Sequence, residues 1–375
     1  MYHGIRRKTS TLTVLLAITL ALSGCNSSGN GAASPSTSKV AFVTNNGAGD
    51  VISYSVTNGT LTQTGATTVI ASSLPRWVTP NGSFAYVSYM GLGDIATYSI
   101  TNGVLSATPV STTTPITGSK PNKIILNSAG TYAYVANLGT ASISTYAIQN
   151  GVLATSPTST TTPVSGYFLA GIAFSPSGDH LYAVYFASSS PADGYVAAYL
   201  VTNGIPGSLP VSTTAIVPNA NPMGVAVGTG PSGQYVYAVN TGTGDTSTYS
   251  VSNGTLSYNP VTTTTPVTGS APFIDVLAPS GNFLYVVNKG TGTIATYPII
   301  NGILASTPTS VTNAVSGSGP FGAAVGVAGR YLYVTNTGNG TIATYAIANG
   351  VVSSIPSSVT QAVTGSGPFW IAVTP

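Results

Sequence analysis

The string YLYVTNTGNGTIATYAIANG at residues 331–350 nearly repeats FLYVVNKGTGTIATYPIING at 283–302, and looser versions start at Val40, Phe84, Tyr132, His180 and Tyr235. Seven copies of one unit restrict the fold more than any single motif does. Taking Asn45, Tyr89, Asn137, Tyr185, Asn240, Asn288 and Asn336 as equivalent, the intervals are 44, 48, 48, 55, 48 and 48 residues. A period near fifty marks a repeat architecture, in which each unit buries its faces against its neighbours.

Residue types choose the secondary structure. Tyr331, Tyr333 and Thr335 alternate with Leu332, Val334 and Asn336, and β-branched and aromatic residues dominate every copy, which is the pattern of strands. Each unit carries Asn-Gly at one place, at 58–59, 102–103, 150–151, 203–204, 253–254, 301–302 and 349–350. That pair suits a type I′ hairpin, whose two central residues both need positive φ. A second turn precedes the aromatic strand, as in TPNGSF, SPSGDH, GPSGQY and APSGNF. A further short apolar strand lies ahead of that turn, opened by Pro75, Pro121, Pro222, Pro272, Pro320 and Pro368. Four strands per unit, seven times over, predict an all-β, seven-bladed β-propeller of four-stranded antiparallel blades across residues 39–375. The chain enters at the second strand of a blade and ends on GPFWIAVTP, an innermost strand, so the last segment is expected to complete the first blade and close the ring.

The propeller is preceded by two short segments. Basic Arg6, Arg7 and Lys8 followed by an apolar run to Gly24 read as an export signal over residues 1–24, too short to span a bilayer comfortably. Leu22-Ser23-Gly24-Cys25 resembles the bacterial lipobox, which implies a lipidated Cys25, and residues 25–38 read as a flexible polar tether. The expected location is the bacterial cell envelope, outside the cytoplasm, with the membrane reached only through the lipid. As the sole cysteine, Cys25 leaves no intrachain disulfide.

Of the 375 residues, 43% are hydrophobic and only 4% are charged. Without the signal, Lys39, Arg76, Lys120, Lys123, Lys289 and Arg330 balance Asp50, Asp94, Asp179, Asp193, Asp245 and Asp275. A formally neutral chain lacks the basic face that displaces counterions from a phosphate backbone, so nucleic acid is excluded as a partner.

These scarce charges suggest where chemistry could sit. Asp50, Asp94, Asp193, Asp245 and Lys289 fall in loops at one end of the blades, while Arg76, Lys123 and Asp275 fall where innermost strands begin. Aspartate among Gly and Asn is ordinary turn chemistry. Charges beside the channel are costly unless paired, so Arg76, Lys123, Asp275 and Lys289 are the candidate ligand-binding residues, with mutual pairing expected. His180 replaces an aromatic residue at the start of a second strand, on the opposite face, and makes a poor general base. Trp77 and Trp370 read as packing wedges more than as sugar platforms. No cofactor is called for: no Cys or His cluster suits a metal, no Gly-rich loop precedes a helix, and NNGAGD lacks the carboxylates of a good calcium site.

YVTN at 333–336, FVTN at 42–45 and the related YVAN, YAVN and YVVN resemble the YVTN-type propellers, which are similar to the bacterial lactonase family that includes 6-phosphogluconolactonase. The resemblance covers roughly residues 39–375. It implies an Asn-Arg-Gly type loop where this chain has Asn288-Lys289-Gly290, Asn137-Leu138-Gly139 and Asn336-Thr337-Gly338, and among these Lys289 alone keeps a cation. Two functions follow. One is a monomeric, lipid-tethered, non-catalytic module binding a protein, glycan or small molecule at its loop face. The other is a lactonase-like hydrolase acting on a sugar lactone, with Asp275 as base and Arg76, Lys123 and Lys289 holding an anionic substrate.

Overall fold

Seven antiparallel sheets are arranged in sequence around one axis in the computed structural model, which describes residues 39–374 apart from 190, 191, 267, 268, 327 and 363–366. The proposed signal at 1–24, Cys25 and the tether to residue 38 lie outside the described residues. Blade 2 shows the plan: inner strand Pro75–Asn81, second strand Phe84–Tyr89, third strand Asp94–Thr101, then the outer edge. The inner strands of blades 3 to 7 are Pro121–Leu126, Tyr167–Phe174, Pro222–Gly230, Pro272–Leu277 and Pro320–Val325. In blade 1, the last strand of the chain, Pro368–Val373, pairs antiparallel with Lys39–Asn45, followed by Asp50–Thr57 and Thr60–Ala66. Inner strand packs on inner strand all the way round, with Pro368–Val373 between Pro320–Val325 and Pro75–Asn81. The ring therefore closes as expected.

The outer edge completes the four-stranded plan of each blade. In blades 2 to 7 it is cut into two short pieces, Val104–Leu105 and Ser111–Thr112 in blade 2, both pairing with the third strand. Between the pieces stands a proline in every case: Pro109, Pro157, Pro210, Pro260, Pro308 and Pro356. Proline cannot donate to a ladder and blocks edge-to-edge pairing with another molecule. Blade 1 has no proline there, and its outer strand Thr60–Ala66 runs unbroken.

The core lies between blades rather than inside any one. Second and third strands are buried on both faces, so Tyr86 and Ile95 of blade 2 pack with Ile124, Val135 and Tyr146 of blade 3. At the closure, Ala41, Val43, Ile52 and Ile371 of blade 1 pack with Tyr333 and Ile342 of blade 7.

The Asn-Gly hairpins have a second role beyond their shape. All seven pairs adopt positive φ at both residues. A Cβ on the glycine would collide with the side chain that opens the second strand of the preceding blade: Tyr331 against Gly59, Val40 against Gly103, Phe84 against Gly151, Tyr132 against Gly204, His180 against Gly254, Tyr235 against Gly302 and Phe283 against Gly350. The bare glycine backbone is thus the seat for a neighbour's ring. Four tyrosine hydroxyls fasten the same joint by donating to these glycine carbonyls, Tyr134 to Gly204 at 2.7 Å, Tyr237 to Gly302 at 2.8 Å, and Tyr86 to Gly151 and Tyr285 to Gly350 at 3.0 Å.

Candidate functional site at the channel mouth

Each inner strand is irregular near its start, immediately after the first residue in six blades and after Leu169 in blade 4. In blade 2, Pro75 pairs with Tyr89 and Trp77 with Ser88, which leaves Arg76 bulged out of register. The same shift bulges Phe369, Ala170, Met223 and Phe273, spans Asn122 and Lys123 in blade 3, and spans Phe321 and Gly322 in blade 7. A bulge re-aims its side chain. Here the seven bulges converge on the axis, and each supplies at least one residue to the lining of one cavity of about 280 Å³. Hydroxyls of the preceding blade hold the bulges in place, with Thr44 donating to the Arg76 carbonyl at 3.2 Å, Ser88 to that of Asn122 at 2.6 Å and Thr335 to that of Phe369 at 2.9 Å.

Three of the four candidate residues line this cavity: Arg76, Lys123 and Lys289. They are half of the six basic residues that remain once the proposed signal is set aside. The expected mutual pairing is not what the structure has, since among the described residues no Lys or Arg forms a salt bridge with a carboxylate and the one close contact of a basic side chain with a carboxylate is His180 Nδ1 with Asp179, at 3.0 Å. The cations rest on aromatic rings instead. Arg76 lies 4.2 Å over Phe369 and donates from Nε to the Met90 sulfur at 3.2 Å. Lys123 lies 5.2 Å over Trp77, and Lys289 lies 5.0 Å over Phe321 and 5.6 Å over Phe273. Ring quadrupoles stabilise desolvated cations without neutralising them, which leaves the charge free for a ligand. Burial lowers the affinity of Arg76 and Lys123 for their protons, and for Lys123 the charge of Asp275 works the other way.

Asp275 follows the lining residue Ile274 on the same inner strand but does not itself line the cavity. Its carboxyl is pushed up to about 6, chiefly by desolvation, while Lys123 and its own backbone N–H pull it back. Gly224 of blade 5 makes the room: a Cβ there would stand 2.3 Å from Asp275 Oδ1. The other carboxylate oxygen is buried and has no hydrogen-bond partner.

Three of the four loop aspartates have local partners. Asn45 donates to Asp50 at 2.8 Å and Asn240 to Asp245 at 2.6 Å, and Asn288 and Asn336 close the same loop on Thr293 and Thr341. The asparagine of each YVTN-type string is therefore a loop clasp, and Asp50 and Asp245 complete it. Asp193 accepts from the Asn219 backbone at 2.9 Å, whereas Asp94 Oδ1 is buried without a partner. His180 packs over Gly254 at the far end of the blades, holding the place that tyrosine or phenylalanine takes elsewhere. Trp77 and Trp370 do more than wedge blades apart, because they stack on each other and line the cavity as well.

Sequence reading did not find Phe273, Phe321 and Phe369, which form a ladder with ring centres 4.2 and 4.0 Å apart. The signal was available in APFI, GPFG and GPFW, where one aromatic follows the strand-opening proline three times.

The profile of one family, described as Lactonase, 7-bladed beta-propeller, matches residues 32–192 and 225–368. The chain belongs to this lactonase family. A search of curated proteins gives no match. Among solved structures, the periplasmic gluconolactonase of Pseudomonas aeruginosa is similar at a TM-score of 0.71 and 18% identity, over 90% of this chain and 99% of that one. A candidate 6-phosphogluconolactonase of Bacteroides uniformis gives 0.73 and 18%, over 90% and 99%. Another from Bacteroides fragilis gives 0.70 and 16%, over 91% and 100%. At such identities the likeness is one of fold, and the chemistry of the lactonase propeller here rests on its own side chains.

Proposed function

We propose that the channel mouth binds and hydrolyses a lactone. The observation that carries this reading is the convergence of three cations on one cavity, none in a salt bridge with a carboxylate, with the carboxyl of raised pKa on the residue after the lining Ile274. Family membership supports the same reaction class. Arg76 and Lys123 would donate to the lactone carbonyl oxygen and stabilise the oxyanion that forms when water attacks. Asp275, ionised above about pH 6 but set back from the lining residues, would take the proton from that water through one bridging water. Collapse of the tetrahedral intermediate breaks the ring C–O bond, the proton passes to the departing alkoxide, and the product is a hydroxy acid whose carboxylate the cations hold. The test is a lactone-hydrolysis assay with the spontaneous rate subtracted. Wild type is expected to exceed buffer, Arg76→Ala and Lys123→Ala to lose roughly a hundredfold, and Asp275→Ala to lose the rise with pH. Wild-type protein with no rate above buffer ends this reading.

A second reading is favoured by the position of His180, the one histidine beyond the signal, which packs on Gly254 instead of approaching the cavity. On this reading the same cavity binds its ligand without turnover, on a propeller held at the cell envelope through a lipidated Cys25. Saturable binding without hydrolysis would establish it, and Cys25→Ser would move the protein from the membrane fraction to the soluble one.

A further inference from the structure

We infer that the channel-mouth cavity selects an anionic ligand with a flat apolar body whose polar atoms all accept hydrogen bonds, and discriminates against polyhydroxylated molecules. This rests on the cavity being the ligand site and deepens the lactonase reading by naming the class of substrate: an aromatic carboxylate, or a lactone fused to an aromatic ring, in place of a sugar lactone.

The side chains of the wall are rich in donors and poor in acceptors. Arg76, Lys123 and Lys289 can only donate, as can the indole N–H groups of Trp77 and Trp370. Asn122 offers the single neutral amide, and its Nδ2 already donates to the Ala170 carbonyl at 2.8 Å, leaving Oδ1 as the one side-chain acceptor of hydrogen-bonding strength. The one carboxylate nearby, Asp275, is not part of the wall. Every hydroxyl of a polyol brings a proton that needs an acceptor once water is removed, and a hydroxyl proton left without one weakens binding. A carboxylate or lactone carbonyl has no such proton and matches the donors.

The shape of the wall points the same way. Blades 6, 7, 1 and 2 supply Phe273, Phe321, Phe369, Trp370 and Trp77 as one continuous aromatic arc, with the cations over its faces. The facing arc is uncharged, with Ala170 and the flexible Met223 at its bulges and Gly171 and Gly224 after them. A planar ring lying between the two arcs would turn its carboxylate toward Arg76 and Lys289.

The test compares two dianions of equal charge, phthalate and glucarate, by calorimetry on the wild-type protein. The only two tryptophans of the chain both line the cavity, so their fluorescence gives a second readout confined to the site. Phthalate is expected to bind at least about tenfold tighter than glucarate, and Arg76→Gln and Lys289→Gln each to weaken it about tenfold. Lys289 is exposed on its loop, so Lys289→Gln keeps the fold even if Arg76→Gln does not. Glucarate binding as tightly as phthalate, or phthalate binding untouched in Lys289→Gln, overturns the inference. Phthalate binding as stated with no lactone hydrolysed ends the hydrolase reading and leaves this one standing. Sugar lactones hydrolysed without inhibition by phthalate do the reverse.

Discussion

Trp370, on the last strand of the chain, stacks on Trp77 of the second blade with ring centres 3.4 Å apart and planes at 18°. Its backbone N–H donates at 3.0 Å to Thr44, on the first strand of the chain, and Thr44 passes a hydrogen bond to the Arg76 carbonyl. One residue thus joins the terminal strand, the initial strand and the next blade at the rim of the cavity.

Ring closure should therefore be sensitive to this residue. Trp370→Ala is expected to cost about 3 kcal/mol, the low end for truncating a large aromatic, because the ring is half-exposed at the cavity. Deleting 367–375 removes the whole inner strand of blade 1 and uncovers Val43 and Ile52, so it should lower the melting temperature further than any point substitution. A truncation that melts with the wild type would mean that the ring does not depend on its seam.

Gly350 tests the hairpin seat. A Cβ at Gly350, where φ is +80°, would come within 1.9 Å of the Phe283 ring, whereas Gly118, at +74°, has nothing within 4 Å of its own. Both alanine substitutions carry the backbone penalty of about 1 kcal/mol. Only Gly350→Ala also displaces a ring of the neighbouring blade, so it should cost about 2 kcal/mol more, the order found for overpacking. Equal losses for the two variants in denaturant titrations would remove the packing role.

Much of this was legible in the sequence, and the reason is repetition. Seven Asn-Gly pairs fix seven hairpins because the pair adopts positive φ twice so readily, and a strand-opening proline places six of the seven inner strands. The charged candidates were legible too, as Arg76, Lys123 and Asp275 are rare charges on strands that had to face the channel. What could not be read was register. The bulge that turns Arg76 and Phe369 toward the axis is one residue of slip between paired strands, and slip belongs to the pairing rather than to either strand. Without it, the expectation that Arg76, Lys123 and Asp275 would pair among themselves was reasonable; with it, the cations are carried out over Phe369 and Trp77, and the carboxyl stays behind.

The tyrosines that fasten blade to blade should make the fold sensitive to alkali. Desolvation, helped by the nearby Tyr132, pushes the Tyr134 hydroxyl up to about 12, and desolvation alone does the same for Tyr285. A tyrosine of the unfolded chain ionises near 10. The sign follows: stability is fully present below about pH 10 and is lost as pH rises through about 12, since the unfolded chain releases these protons first. Tyrosinate absorbance should therefore lag behind that of free tyrosine and then rise together with loss of the β-sheet circular dichroism. Titration near pH 10 with the sheet signal unchanged would show that these hydroxyls do not hold the blades. At neutral pH, Tyr285→Phe should cost about 1 kcal/mol for the lost bond to Gly350.

Asp275 gives the opposite balance, a group whose charge weakens the fold that carries it. Its folded pKa of about 6 lies above the ordinary aspartate value of about 3.9. The folded state therefore binds this proton more tightly than the unfolded state, and the associated stability is complete below about pH 4 and lost by about pH 6. Asp275→Asn, which keeps the shape in the Gly224 recess without the charge, should be more stable than wild type by about 1–2 kcal/mol at about pH 8. The full shift would give more, but removing the carboxylate also leaves Lys123 without its nearby countercharge, which takes part of the gain back. Below about pH 4 the two proteins should unfold at the same denaturant concentration. If the gain at about pH 8 is accompanied by loss of the pH-dependent rise in lactone hydrolysis, the carboxyl destabilises the fold for the sake of the reaction. A variant no more stable than wild type at about pH 8 would show that Asp275 is not desolvated in the channel, and the argument for it as a base would go too.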